Sequence, residues 1–144
     1  MTKRRIYIPG SFALQVKRSS AGLGLYAKEK IKKNTCIIEY VGRTLNLDEQ
    51  YTSRSKYLFG VTAKKTIDGS ARSNIARYIN HSCLPCCETD IDAERIYVFS
   101  LRNIEPSEEL VLDYGKEYFD THIKPFGCRC IKCSPDRHVL VNNS

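Results

Sequence analysis

Asn74-Ile75-Ala76-Arg77-Tyr78-Ile79-Asn80-His81-Ser82-Cys83 is the stretch on which the reading of this chain turns. An amide, an imidazole, a hydroxyl and a thiol follow one another at positions 80–83. Asn80 offers both donors and an acceptor, and the His81 ring and backbone offer more. Taken alone, an Asn-His pair also suits a turn or a satisfied buried pair. Two later stretches give it company. Glu109-Leu110-Val111-Leu112-Asp113-Tyr114 reads as a strand that ends in Asp-Tyr, and Cys128-x-Cys130-x-x-Cys133 is a tight cysteine cluster near the end.

Three cysteines within six residues suit one metal ion. A structural zinc ion takes four ligands, so the fourth must come from elsewhere. Cys83, Cys86, Cys87 and His138 all remain open on the residues alone. The chain holds seven cysteines, an odd number, so its thiols cannot all pair in disulfides within one chain. Metal ligands and free thiols are the expectation.

Length and composition bound the rest. A chain of 144 residues fits one domain, and a domain of that size buries roughly 68–70% of its unfolded surface. Apolar residues make up 42%, a globular value. No apolar run approaches the ~20 residues of a membrane span. The basic start Met1-Thr2-Lys3-Arg4-Arg5-Ile6 lacks the apolar core of a signal peptide. The expectation is an intracellular, soluble protein of the cytoplasm or nucleus, with no membrane partner. The formal charge is +7, compatible with direct nucleic-acid binding. The lysines and arginines are dispersed, however, so a solvated surface explains them equally well. A basic chain would repel a basic tail unless carboxylates such as Asp48, Glu49, Asp90, Asp92 and Glu94 gather at its groove.

Most of the chain reads as short strands between turn residues. Strands are predicted at Phe12–Lys17, Thr35–Val41, Ile96–Leu101 and Glu109–Tyr114. Tyr57–Thr62 and Lys65–Asp68 form a predicted hairpin around Ala63-Lys64. Gly22-Leu23-Gly24 is a predicted turn into Leu25-Tyr26-Ala27. Helices are predicted at Leu47–Arg54, capped by Asn46, and at Lys116–Ile123. The fold class is therefore mostly β, α+β with few short helices.

In their order and spacing these pieces resemble the SET-domain protein lysine methyltransferases, over roughly Phe12 to Cys133. The resemblance implies the SET-domain β-clip fold of small curved sheets, with the Asn-His-Ser-Cys segment threaded as a pseudoknot. It implies an N-terminal extension over 1–11, the SET domain over 12–123 and a post-SET zinc-binding tail over 124–144. The extension is too short for another module, so a stand-alone form is expected. By the same resemblance Ala21, Leu23, Tyr57, Arg77, Asn80 and His81 would bind S-adenosylmethionine, and Tyr114 and Tyr40 would be catalytic. Cys83 would complete the site of one structural Zn²⁺ with Cys128, Cys130 and Cys133. The partner implied is a protein presenting a lysine, a histone tail or another protein. Nothing in the sequence points to an oligomer.

The chain departs from the family pattern at four places. Only two residues separate Cys130 from Cys133, where four are common. Cys86-Cys87 follows Pro85 in place of Asn. There is no Trp after the last cysteine, so Phe126 or Phe119 would cover the cofactor. Leu112 stands two residues before Tyr114, where Phe or Tyr is usual, which implies a pocket open to di- or trimethylation. Two other readings remain: a catalytically silent SET-like interaction module, and a small basic zinc protein that binds nucleic acid. The second is disfavoured because the cysteines match no finger with a recognition helix.

Overall fold

The computed structural model describes residues 5–135. β1 (Leu14–Ser19) and β2 (Gly22–Ala27) form an antiparallel hairpin. Its turn is Ser20-Ala21, one step earlier than the glycines suggested. Gly22 does take a positive φ of 103°, the region glycine enters freely. Gly24 matters for a different reason, because a Cβ there would collide with the Glu109 carboxylate. The second glycine thus permits close approach within the sheet.

β3 (Cys36–Tyr40), β4 (Arg43–Leu45), β5 (Leu58–Thr62) and β6 (Lys65–Asp68) follow. The β5–β6 hairpin lies where predicted, and β4 joins its other edge to make a three-stranded sheet in the order β4-β6-β5. Between β4 and β5 runs α1 (Leu47–Thr52), which ends two residues before its predicted stop. Its start is a capping box. The Glu49 amide donates to Asn46 Oδ1 (2.9 Å), and the Asn46 amide donates to Glu49 Oε1 (3.2 Å).

β7 (Asn80–His81), β8 (Cys87–Asp92), β9 (Arg95–Ser100) and β10 (Glu109–Leu112) complete a seven-stranded sheet with β1, β2 and β3. Along its main path the order is β1-β2-β10-β8-β9-β3, with β7 added against β10. β9 is buried from Ile96 to Ser100, as its unbroken apolar run predicted.

β8 went unread in the sequence. Its acidic residues disfavour a strand, and its turn to β9 carries neither Gly nor Asn. Ala93 and Glu94 nevertheless both take positive φ, 50° and 61°, the signature of the hairpin turn whose twist matches paired strands. Arg5 makes ion pairs with Glu88 and Asp90 and lies 4.2 Å over the Phe99 ring. That neutralises the acid face of β8.

The pairing that builds the site is parallel. Val111 sits opposite Asn80 and Leu112 opposite His81, while the other edge of β10 meets β2 at Leu110↔Leu25. A two-residue strand is thereby held against the last strand of the sheet. Leu25, Ile31, Ile37, Ile79, Ile96, Val98 and Leu110 fill the core beneath. After β10 the chain coils through Lys116–Tyr118, Phe119–Ile123 and Lys124–Phe126 as one irregular helical run. Gly127 then breaks it at φ 84°.

Candidate active site and metal centre

A cleft of about 1370 Å³ opens between the β1–β2 turn, the 77–81 segment, the end of β10 and the C-terminal coil. Ala21, Leu23, Tyr57 and Arg77 line it, as do Asn80, His81 and Tyr114. The structure therefore brings together every cofactor candidate and one of the two catalytic candidates. The other, Tyr40, stands just behind the wall. Its buried ring packs on Phe59, and its hydroxyl donates to the Tyr57 carbonyl (2.8 Å). Its phenol pKa is raised, by burial first and by Asp68 second.

β7–β10 pairing sets Asn80 and His81 beside Tyr114. Asn80 Nδ2 lies within 3.0 Å of Ser19 Oγ, the Leu23 carbonyl oxygen and Glu109 Oε2. The amide thus braces the β1–β2 turn to the last strand. His81 Nδ1 accepts from the Tyr114 amide (3.0 Å), and its Nε2 lies 3.5 Å from Cys83 Sγ. Burial lowers the His81 pKa, and the Asp113 carboxylate opposes that only in part. A neutral ring that accepts at Nδ1 carries its proton on Nε2, directed at the thiol.

Tyr114 lies two residues beyond β10. Its hydroxyl donates to the Ile79 carbonyl, and Tyr118 meets its ring edge-on at 5.0 Å. Burial pushes its pKa up, with Tyr118 adding to the effect. Tyr114 at neutral pH is a hydrogen-bond donor and no base. Arg77 spreads its guanidinium 4.3 Å from the Tyr57 ring and donates to the Ser70 carbonyl (2.5 Å). Its Nε is buried without a partner, and an orphaned donor at a cleft wall fits a ligand that brings an acceptor.

Cys83, Cys128, Cys130 and Cys133 present sulfur atoms that all lie within 4.8 Å of one another. Cys83 Sγ is 4.0 Å from Cys128 Sγ and 3.8 Å from Cys133 Sγ. Four sulfurs at about 2.3 Å from a tetrahedral zinc stand about 3.8 Å apart, so the residues fit that ion. Cys86 and Cys87 are buried elsewhere, with their sulfurs 3.7 Å apart. Cys86 lies 3.4 Å from the Glu109 carbonyl. His138 lies outside the described residues.

Of the two phenylalanines expected to cover a cofactor, Phe126 lines the cleft and Phe119 meets His81 at a tilt, ring centres 5.2 Å apart. Leu112 turns into the core while Val111 faces the cleft, so the expectation drawn from Leu112 finds no support in the lining. Sequence reasoning also missed Tyr78 and Tyr118 on the wall. Tyr78 lies inside the deciding stretch, and Tyr118 follows Tyr114 by four residues, in the first turn of the coil. The acidic residues considered for the groove are not among its lining. Asp90 and Glu94 pair with Arg5 and Lys65, and Glu49 pairs with Arg43.

A strand-rich clip with a tyrosine-walled cleft, closed by a four-thiol tail, defines a SET-type domain. The sequence model of the SET domain matches residues 22–115, and the chain belongs to that family. It is 38% identical over 125 residues to "Histone-lysine N-methyltransferase trr" of Drosophila melanogaster, covering 78% of this chain and 5% of that protein. It is 42% identical over 107 residues to "Histone-lysine N-methyltransferase, H3 lysine-4 specific" of Aspergillus oryzae, covering 65% and 9%. Against "Histone-lysine N-methyltransferase 2D" of Homo sapiens it is 35% identical over 122 residues, covering 76% and 2%. The chain thus spans under a tenth of the length of these relatives.

Proposed function

We propose that this chain transfers a methyl group from S-adenosylmethionine to the side-chain amine of a lysine in a protein substrate. The observation that carries this is one cleft whose walls hold the Tyr114 hydroxyl, the orphaned Arg77 Nε and the edge of the four-cysteine tail. A cleft of that size exceeds the roughly 300–1,000 Å³ of common small-ligand pockets, leaving space for a side chain beside a cofactor. The relatives' names make a histone the first substrate to test, which would bring the chain to chromatin. The partition into an extension over 1–11, a SET domain over 12–123 and a zinc-binding tail over 124–144 belongs to the same proposal.

S-adenosylmethionine, when bound, supplies a sulfonium-activated methyl. Ala21, Leu23, Tyr57, Arg77, Asn80 and His81 hold it in this reading, with the Arg77 Nε taking an acceptor. The chain's own work is on the amine. A lysine ammonium has a pKa near ≈ 10.4, and desolvation among Tyr57, Tyr114 and Tyr118 lowers it. The proton leaves to solvent, because the raised pKa of Tyr114 keeps that hydroxyl protonated and unable to accept it. Tyr114 orients the neutral amine, and Tyr40 fixes the Tyr57 backbone that lines the wall. Cys83, Cys128, Cys130 and Cys133 would hold a zinc ion and so pin the tail, whose residues Phe126 to Ile131 line the cleft and exclude water.

The test is transfer of labelled methyl to histones and to a cell extract by zinc-loaded protein. Tyr114→Phe should reduce transfer by about 100-fold, the order seen when one positioned hydrogen-bond donor is removed from an active site. Its cofactor affinity, measured by calorimetry, should be unchanged. A native chain that binds no cofactor, or a Tyr114→Phe variant as active as the native chain, would sink the reading.

A further inference from the structure

The Arg77 guanidinium is held from two sides. The Ser70 carbonyl accepts from its Nη1, and the Tyr57 ring lies 4.3 Å from it. These two supports belong to different segments, which diverge from the open end of the β5–β6 hairpin, where Asp68 pairs with Leu58. The segment before β5 carries Tyr57, and the segment after β6 carries Ser70.

One carboxylate ties both segments together. Asp68 Oδ1 accepts from the Ser55 hydroxyl (2.7 Å) and from the Ser70 amide (3.1 Å). Ser55 Oγ in turn accepts from the Tyr57 amide (3.1 Å), so the hydroxyl relays the carboxylate to Tyr57. A direct link runs beside it, from the Gly69 amide to the Tyr57 carbonyl (2.9 Å). Hydrogen bonds to an ionised acceptor are roughly twice as strong as neutral ones, and Asp68 stays ionised. Burial pushes its carboxyl up, but the bonds from Ser55 and Ser70 and the charge of Arg43 outweigh that and hold it below the usual range. Asp68 is not among the residues that line the cleft.

Arg77 gains from such support. An arginine side chain loses much rotamer freedom when it is ordered, and the Arg77 Nε is buried without a partner. Holding that donor in place before a ligand arrives removes part of the cost of binding.

Building on the methyltransferase reading, we infer that Asp68 is a positioning residue for the cofactor. Through Ser55 and Ser70 it fixes the Tyr57 ring and the Ser70 carbonyl, and through those two groups it fixes the Arg77 guanidinium. Its effect falls on cofactor affinity and depends on Arg77.

The experiment measures S-adenosylmethionine binding to zinc-loaded protein by calorimetry. Asp68→Ala should raise Kd about tenfold, the order of one hydrogen bond to a charged group. Asp68→Asn keeps an acceptor oxygen of the same shape and should stay within about threefold of the native chain. In an Arg77→Ala background, Asp68→Ala should cost less than about twofold, because residues that act through one another do not add. Ser55→Ala cuts one arm of the network and should raise Kd about threefold. It also carries the test if Asp68→Ala fails to fold, which thermal melting of each variant checks.

Native affinity in both Asp68→Ala and Ser55→Ala overturns the inference. So does an Asp68→Asn variant as weak as Asp68→Ala. A tenfold loss that persists in the Arg77→Ala background also overturns it, and would leave Asp68 a residue of the fold alone. These three outcomes leave the methyltransferase reading standing. A native chain that binds no S-adenosylmethionine overturns that reading, and the inference with it.

Discussion

The sheet around β10 and the cysteine tail behind it are held by different forces, and the cleft lies along their seam. Leu25, Ile96 and Leu110 are fully buried in the sheet, and burial of such side chains is worth about 1.5–3 kcal/mol each. In the tail Phe126 is 79% exposed and Ile131 51%, whereas Cys130 is 4% exposed. A segment that leaves its apolar side chains in water gains little from packing. A metal ion on the four converging thiols would supply what packing does not. Water exclusion at the cleft therefore depends on the part of the molecule with the least core of its own.

This contrast predicts a graded set of effects. Metal removal is the largest. Structural zinc in isolated finger peptides is worth about 10–16 kcal/mol in apparent binding. Chelation, or Cys128→Ser, should release residues 124–135, lower cofactor affinity at least about tenfold and leave the far-ultraviolet circular dichroism of the sheet in place. Undiminished affinity in metal-free protein would show that packing holds the tail after all. Next comes the core. Leu110→Ala should destabilise the whole domain by about 2–5 kcal/mol in urea unfolding. Ile131→Ala in the tail should stay within about 0.5 kcal/mol. Similar values for the two would erase the distinction.

A smaller effect tests a site remote from the seam. Asn46→Ala removes the cap of α1 and should cost about 1 kcal/mol of stability, without changing methyl transfer. The smallest concerns Glu108 on the cleft wall. Arg102 beside it holds its carboxyl below the usual carboxylate range. A carboxyl with a depressed native pKa stabilises the fold above its unfolded pKa of about 4.3, and that contribution fades as pH falls through the native value. The pair is partly exposed, so less than about 1 kcal/mol is at stake. Between about pH 6 and pH 3 the native chain should lose slightly more melting temperature than Glu108→Gln. Equal losses would show that the pair is fully screened.

The parts of the fold legible in the sequence are those whose causes are local. β3, β9 and the β5–β6 hairpin announce themselves through β-forming runs and turn residues. α1 does so through Asn46 and Glu49, three residues apart. β8 was illegible because the partner that neutralises Glu88 and Asp90 is Arg5, 83 and 85 positions away. β7 was illegible because two residues make a strand only when β10 arrives beside them.

The sequence by itself determined the chemical inventory: the Asn80-His81-Ser82-Cys83 run, the tyrosine after the last strand and three cysteines spaced for one metal. Those assignments rest on residue type and short-range order, which a linear chain carries in full. Tertiary structure decided among the thiols that residue order left open: Cys83, and neither Cys86 nor Cys87, joins the sulfur cluster. It also put Tyr40 behind the cleft wall and gathered dispersed lysines and arginines around one opening. The physical reason is common to all three. Cys83 follows the parallel register of β7 on β10, Tyr40 is held by β9 and the Tyr57 carbonyl, and such contacts between distant segments leave no periodic mark in the sequence.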